Sequence, residues 1–123
     1  MTIIDTNVIL RYLLNDHNEL SSKATIMIET NEVLLPNEVI AEVVYVLQKV
    51  YLINNQEISH TLLALISFEN IKVEDFDLLK EAFRLFSIRK FDFVDTILYA
   101  HHKVRGHDIM TFDKKVNYPP LKR

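Results

Sequence analysis

The sequence contains no cysteine, which excludes disulfide staples, iron–sulfur clusters and thiolate zinc sites. Glycine occurs once, as Gly106, and proline three times, as Pro36, Pro119 and Pro120. An all-strand sandwich or barrel needs many tight turns, and this scarcity of turn formers disfavours one. No apolar run approaches the roughly 20 residues of a membrane-spanning helix. Met1 to Asp5 lacks the basic-then-apolar pattern of a secretory signal, so the expectation is a cytoplasmic protein with no membrane partner.

What is present points to one globular unit. A chain of 123 residues with 49% hydrophobic side chains can bury roughly two-thirds of its unfolded surface. With no linker, repeat or low-complexity run in view, residues 1–123 are expected to form a single domain. The net charge of −3 is unevenly spread. Residues 1–62 carry three basic and eight acidic side chains, whereas residues 84–123 carry nine basic and four acidic ones. The balance shifts from −5 to +5, so the last third offers cations, Lys114 and Lys115 among them, for phosphate contacts. Solvated helix faces would give the same pattern.

Periodicity orders the chain into short strands and long helices. Thr2 to Asp5 reads as a strand ending in an acid, with Thr6 or Asn7 capping a helix through Val8, Ile9, Tyr12 and Leu13. Glu19 to Thr30 is a second helix with Leu20, Ala24, Met27 and Ile28 on one face. Val33 to Leu35 is a buried strand closed by Pro36. Asn37 opens a helix to about Leu52, with Val39, Ile40, Val43, Val44, Leu47, Val50 and Tyr51 inward. A helix after Asn55, a strand at Ile71 to Val73, and helices at Asp77–Ser87 and Phe93–Val104 follow, the last stopped by Gly106. Asp108 to Thr111 reads as a final strand. The alternation predicts an α/β sandwich with a mainly parallel sheet. The strands' carboxyl ends then share one edge, where such sheets gather their chemistry.

Four acids are placed to meet there. Asp5 and Asp113 follow the first and last predicted strands. Asp95 lies in the first turn of the last helix, with Asp92 at its N-cap. Glu42 lies one to two turns into the helix after Pro36. Each has a plainer reading: Asp after a strand is a common turn or cap residue, Asp92 and Asp95 suit a helix dipole, and Glu42 shares a polar stripe with Glu38, Tyr45 and Lys49. Converged, however, four carboxylates repel one another unless cations intervene. A site of oxygen ligands alone suits Mg²⁺ or Mn²⁺. Two such ions, about 4 Å apart, activate water and stabilise the leaving oxygen of a phosphodiester.

The residues around these acids resemble a known family. Ile4-Asp5-Thr6-Asn7-Val8-Ile9-Leu10-Arg11-Tyr12-Leu13 is similar to the opening of PIN-domain proteins, particularly VapC-type toxins of toxin–antitoxin pairs. Pro36-Asn37-Glu38-Val39-Ile40-Ala41-Glu42 resembles the second motif, Phe93-Val94-Asp95-Thr96-Ile97-Leu98-Tyr99-Ala100 the third, and Met110-Thr111-Phe112-Asp113-Lys114-Lys115 the fourth. All four acids occur in order between Thr2 and about Val116. The resemblance implies a three-layer α/β/α sandwich around a mainly parallel sheet of four to five short strands. It also implies one or two Mg²⁺ or Mn²⁺ ions held by Asp5, Glu42, Asp95 and Asp113, with Asn7 and Thr111 in support. RNA hydrolysis, an antitoxin protein as inhibitor and a homodimer are implied with it. Thr96 and Tyr99 stand where small residues are more usual, and the tail after Asp113 is short.

Rival chemistries fit less well. A receiver domain needs paired acids after its first strand, and a DxDxT phosphatase needs a second Asp where Asn7 stands. His101 and His102 are adjacent and diverge on a helix, so a zinc site with His107 is not expected. A non-catalytic PIN-like module that binds nucleic acid or a partner is the alternative, and retention of all four acids weighs against it.

Overall fold

A computed structural model describes residues 1–112; Asp113, Lys114 and Lys115 lie outside the described residues. Strands β1 (Thr2–Ile3), β2 (Val33–Leu35) and β3 (Ile71–Val73) form a parallel sheet in the order β1-β2-β3, with Thr2 opposite Val33, Val33 opposite Ile71 and Leu35 opposite Val73. Parallel neighbours require long crossovers. Helices α1 (Thr6–Leu14) and α2 (Asn18–Glu29) supply the first, and α3 (Asn37–Lys49) and α4 (Asn55–Ile66) the second. Helices α5 (Phe76–Ile88) and α6 (Phe93–Arg105) follow β3. The α/β class and parallel sheet agree with expectation.

The strand number does not. Among the described residues the sheet has three strands rather than four to five, because Asp108 to Thr111 does not join it. A strand is worth forming where alternate side chains can be buried. Here Met110 is fully exposed and Ile109 only half-buried, so the apolar pattern finds no second surface. The neighbouring β1 is short, with Ile3 exposed.

The helices begin where short polar side chains can satisfy their first N–H groups. Asn54 accepts from Glu57 N–H at 2.8 Å and Asp75 from Leu78 N–H at 3.1 Å. The His17 ring does the same for Leu20 N–H. Gly106, at φ 73°, closes α6 in the left-handed conformation that glycine adopts without steric cost. Helix α3 stops at Lys49, short of the expected Leu52. Ile53 N–H bonds back to the Leu47 carbonyl at 3.0 Å, which turns Ile53 inward and leaves Val50, Tyr51 and Leu52 exposed. The turn holds Leu52 at φ 56°, an unfavourable conformation for a side chain with a Cβ.

Val33 and Leu35 of the central strand, Ile40, Val43, Val44 and Leu47 of α3, and Leu78, Leu79, Phe83 and Phe86 of α5 belong to one continuous core. In α2 only part of the expected face is buried. Ala24 and Ile28 are inside, whereas Leu20 and Met27 are exposed and border a shallow cavity against α1. No helix among the described residues is long and apolar enough to cross a membrane.

Candidate active site

Asp5 is delivered to the carboxyl edge of the sheet by β1 and the buried Ile4. It, rather than Thr6 or Asn7, is the N-cap of α1, and its Oδ1 accepts from Val8 N–H at 3.2 Å. Capping and catalysis are compatible, because a cap engages one carboxylate oxygen. Asp5 Oδ2 has no hydrogen bond among the described residues. Asn7, in the first turn of α1, is exposed and borders the cavity shared with α2.

Glu42 is exposed on α3 and forms no hydrogen bond or ion pair among the described residues. The start of α3 is held by a residue that sequence reasoning passed over. Glu74, directly after β3, accepts from Asn37 N–H at 3.2 Å. A helix opened by Pro36 has no side-chain cap, so a carboxylate from the neighbouring strand end satisfies one of its orphan donors. The signal was available: Glu74 follows a strand as Asp5 does. The Asn37 Oδ1 is buried without a hydrogen-bond partner among the described residues.

Asp95 is half-buried in the first turn of α6, on a helix anchored at both ends. At the near end the Phe93 ring stacks on Phe83 at 4.8 Å between centroids and meets Phe86 edge-on at 5.5 Å. At the far end Arg105 grips Asp75 through two hydrogen bonds of 2.8 and 2.6 Å, and Lys103 reaches Glu81 at 3.2 Å. The Arg105 guanidinium holds the Asp75 carboxyl below the usual carboxylate range. Burial pushes the Glu81 carboxyl up, but hydrogen bonds from Arg84 and Lys103 outweigh it and leave it low. The two bulky residues of the third motif are accommodated. Thr96 is fully buried, its hydroxyl donating to the Phe93 carbonyl at 2.6 Å, and Tyr99 is half-buried, edge-on to His102.

Asp92 occupies the N-cap position of α6, but its side chain makes no capping hydrogen bond. Together with Asp95 it borders a groove of about 520 Å³ between α3 and α6, whose other wall includes Ala41, Tyr45 and Lys49.

Helix α3 packs on both α1 and α6. The helix carrying Glu42 thus contacts both the helix that Asp5 caps and the helix that carries Asp95. Among the described residues no three His, Cys, Asp or Glu side chains are grouped closely enough to hold a metal ion, and Asp113 lies outside them. The three described acids supply only carboxylate oxygens, a donor chemistry that fits a hard divalent cation. Thr111 is exposed in an irregular segment. The turn at Gly106 carries His107 back over α6, its Nδ1 3.3 Å from His101 Nδ1 and its carbonyl 3.0 Å from His102 Nδ1. His101 and His102 therefore do reach a common neighbour, without forming a three-ligand site among the described residues.

Compared with models of known families, the sequence matches the one described as PIN domain over residues 2–119. No curated protein and no solved structure matches it.

Proposed function

The chain belongs to the PIN domain family, whose members are generally nucleases, and from that premise we propose that it is a metal-dependent endoribonuclease, the toxin of a VapC-type toxin–antitoxin pair. The observation that carries the reading is the order Asp5, Glu42, Asp95, Asp113 within the four family motifs, with the first three on helices that meet around α3. The whole chain, residues 1–123, acts as one domain in the three-layer α/β/α arrangement, and works in the cytoplasm.

Asp5, Glu42, Asp95 and Asp113 would hold one or two Mg²⁺ or Mn²⁺ ions. When bound, such ions lower the pKa of a coordinated water and stabilise the charge on a departing phosphodiester oxygen. The protein's part is to aim the carboxylates. The cap on α1 fixes Asp5, the Phe83–Phe93–Phe86 contacts fix the turn that bears Asp95, and the Asn37–Glu74 hydrogen bond fixes the start of the helix that bears Glu42. Asn7 and Thr111 support the acids, and Lys114 and Lys115 contact the RNA backbone. A cognate antitoxin protein inhibits the enzyme, which assembles as a homodimer.

The test is cleavage of a mixed RNA pool by the purified protein with Mg²⁺ or Mn²⁺, and with EDTA. Breakdown that needs the ion supports the assignment. Undiminished cleavage in EDTA, or none with any divalent ion, refutes it.

A further inference from the structure

The described residues include ten lysine and arginine side chains, and their pairing singles out one surface. Arg11, Lys23, Arg84, Lys103 and Arg105 are neutralised by acids within ion-pair distance. Lys49, Lys72, Lys80, Arg89 and Lys90 form no ion pair among the described residues. Three of these five, Lys49, Arg89 and Lys90, line a single open cavity of about 610 Å³ bounded by the end of α3, the start of α4 and the loop between α5 and α6. Uncompensated charge is what attracts a polyanion; paired charge is already neutralised. Among the described residues of the basic last third, Arg84, Lys103 and Arg105 are paired with acids of α5 or its N-cap, while Arg89 and Lys90 remain available.

This cavity continues into the groove that Asp95 borders, because Gln48, Lys49 and Asp92 line both. Its floor is tied by Gln48 Nε2 donating to Asn55 Oδ1 at 2.7 Å. The Arg89 guanidinium lies 5.8 Å from the centroid of the Phe91 ring, which favours a position over that ring. Toward Asp95 the α3 wall presents Tyr45, 61% exposed. Cations along a groove with an uncovered aromatic ring form the combination that binds single-stranded nucleic acid, phosphates on the cations and a base on the ring. Arg89 and Lys90 line only the first cavity and Asp95 only the second, with Asp92 at the junction of the two, so the cations draw in a strand that the carboxylates alone would repel.

We propose that the joined groove is the path of single-stranded RNA, with Lys49, Arg89 and Lys90 holding the backbone and Tyr45 stacking a base beside Asp95. The assignment of RNA rests on the nuclease reading. The groove itself rests on the charge pairing and on the lining shared by the two cavities.

The experiment measures binding of a short fluorescein-labelled oligouridylate by anisotropy in EDTA over a salt series, with cleavage of the same RNA in Mg²⁺ followed in parallel. The combined variant Lys49→Ala, Arg89→Ala, Lys90→Ala should bind at least about tenfold more weakly. Its log–log salt slope should be shallower by roughly 2, from about 0.7 per lost single-strand phosphate contact. Lys72→Ala with Lys80→Ala should change neither quantity. Tyr45→Ala should weaken binding roughly tenfold and Tyr45→Phe should restore it. All the substituted side chains are exposed, and thermal unfolding verifies that each variant is folded. An unchanged affinity and slope in the triple variant overturns the groove while cleavage by the parent protein leaves the nuclease reading standing. Duplex RNA held as tightly through the same cations overturns the single-strand assignment. A parent protein that binds no RNA overturns the groove, and one that also cleaves none overturns the nuclease reading with it.

Discussion

Asp75 performs two tasks with one carboxylate, and substitutions can separate them. Its Oδ1 caps α5 through Leu78 N–H at 3.1 Å, and both oxygens receive Arg105, which joins the end of α6 to the start of α5. Asparagine caps a helix about as well as aspartate, so Asp75→Asn should lose the ionic grip alone. That loss should be small, because Arg105 is largely exposed and screened by solvent. Asp75→Ala should lose the cap as well, about a further 1 kcal/mol, or roughly 3–5 °C in melting temperature for a domain of this size. The two variants also differ from the wild type in pH dependence. Arg105 lowers the folded pKa of Asp75 relative to its unfolded value. The contribution is therefore complete above the ordinary aspartate pKa of about 4 and fades as pH falls through the lower folded value. Thermal unfolding of wild type, Asp75→Asn and Asp75→Ala between neutral and acidic pH should show the wild-type advantage over Asp75→Asn vanishing at the acidic end. The gap between the two variants should persist. An Asp75→Asn variant as unstable as Asp75→Ala at neutral pH, or a wild-type advantage unchanged by acid, refutes this division of labour.

Leu52 is held at φ 56° and is 82% exposed, so Leu52→Gly should relieve strain at little packing cost and raise stability by a net ~0.5–1 kcal/mol. A lower denaturation midpoint for the glycine variant contradicts that reading. Asp95→Asn should remove most of the rise in melting temperature that Mg²⁺ gives the wild type, since a ligand stabilises only the state that binds it. An equal Mg²⁺ response in both proteins removes Asp95 from the metal site.

The helical framework was legible because its signals are local. Three and four residue apolar spacings located the six helices of the described residues, and Gly106 marked the end of α6. The errors arose where partners distant in sequence decide the outcome. Val50 and Tyr51 continue the apolar rhythm of α3, yet the Ile53–Leu47 hydrogen bond ends the helix and turns them out. Asp108 to Thr111 has strand composition, but no burial awaits Met110. Of the acids, Asp5 declared itself by following a strand. A cap was among its plainer readings, but the preferred cap of α1 was placed one or two residues late, at Thr6 or Asn7, because Asp, Thr and Asn all compete for that position. Glu74 carried the same signal and was passed over, its use at the start of α3 being visible only once β2 and β3 pair. The groove had no signature at all, since Lys49 and the Arg89–Lys90 pair are forty residues apart and meet only through packing.

The central claim is that four carboxylates and a divalent ion hydrolyse RNA. The most direct test compares the initial rate of RNA cleavage in Mg²⁺ for the wild type and for Asp5→Asn, Glu42→Gln, Asp95→Asn and Asp113→Asn, each with an EDTA control. The account predicts wild-type cleavage that stops in EDTA and a loss of roughly a hundredfold or more in every variant, as for other groups that stabilise charge in a transition state. Wild-type rates in the four variants, or cleavage indifferent to EDTA, would contradict it.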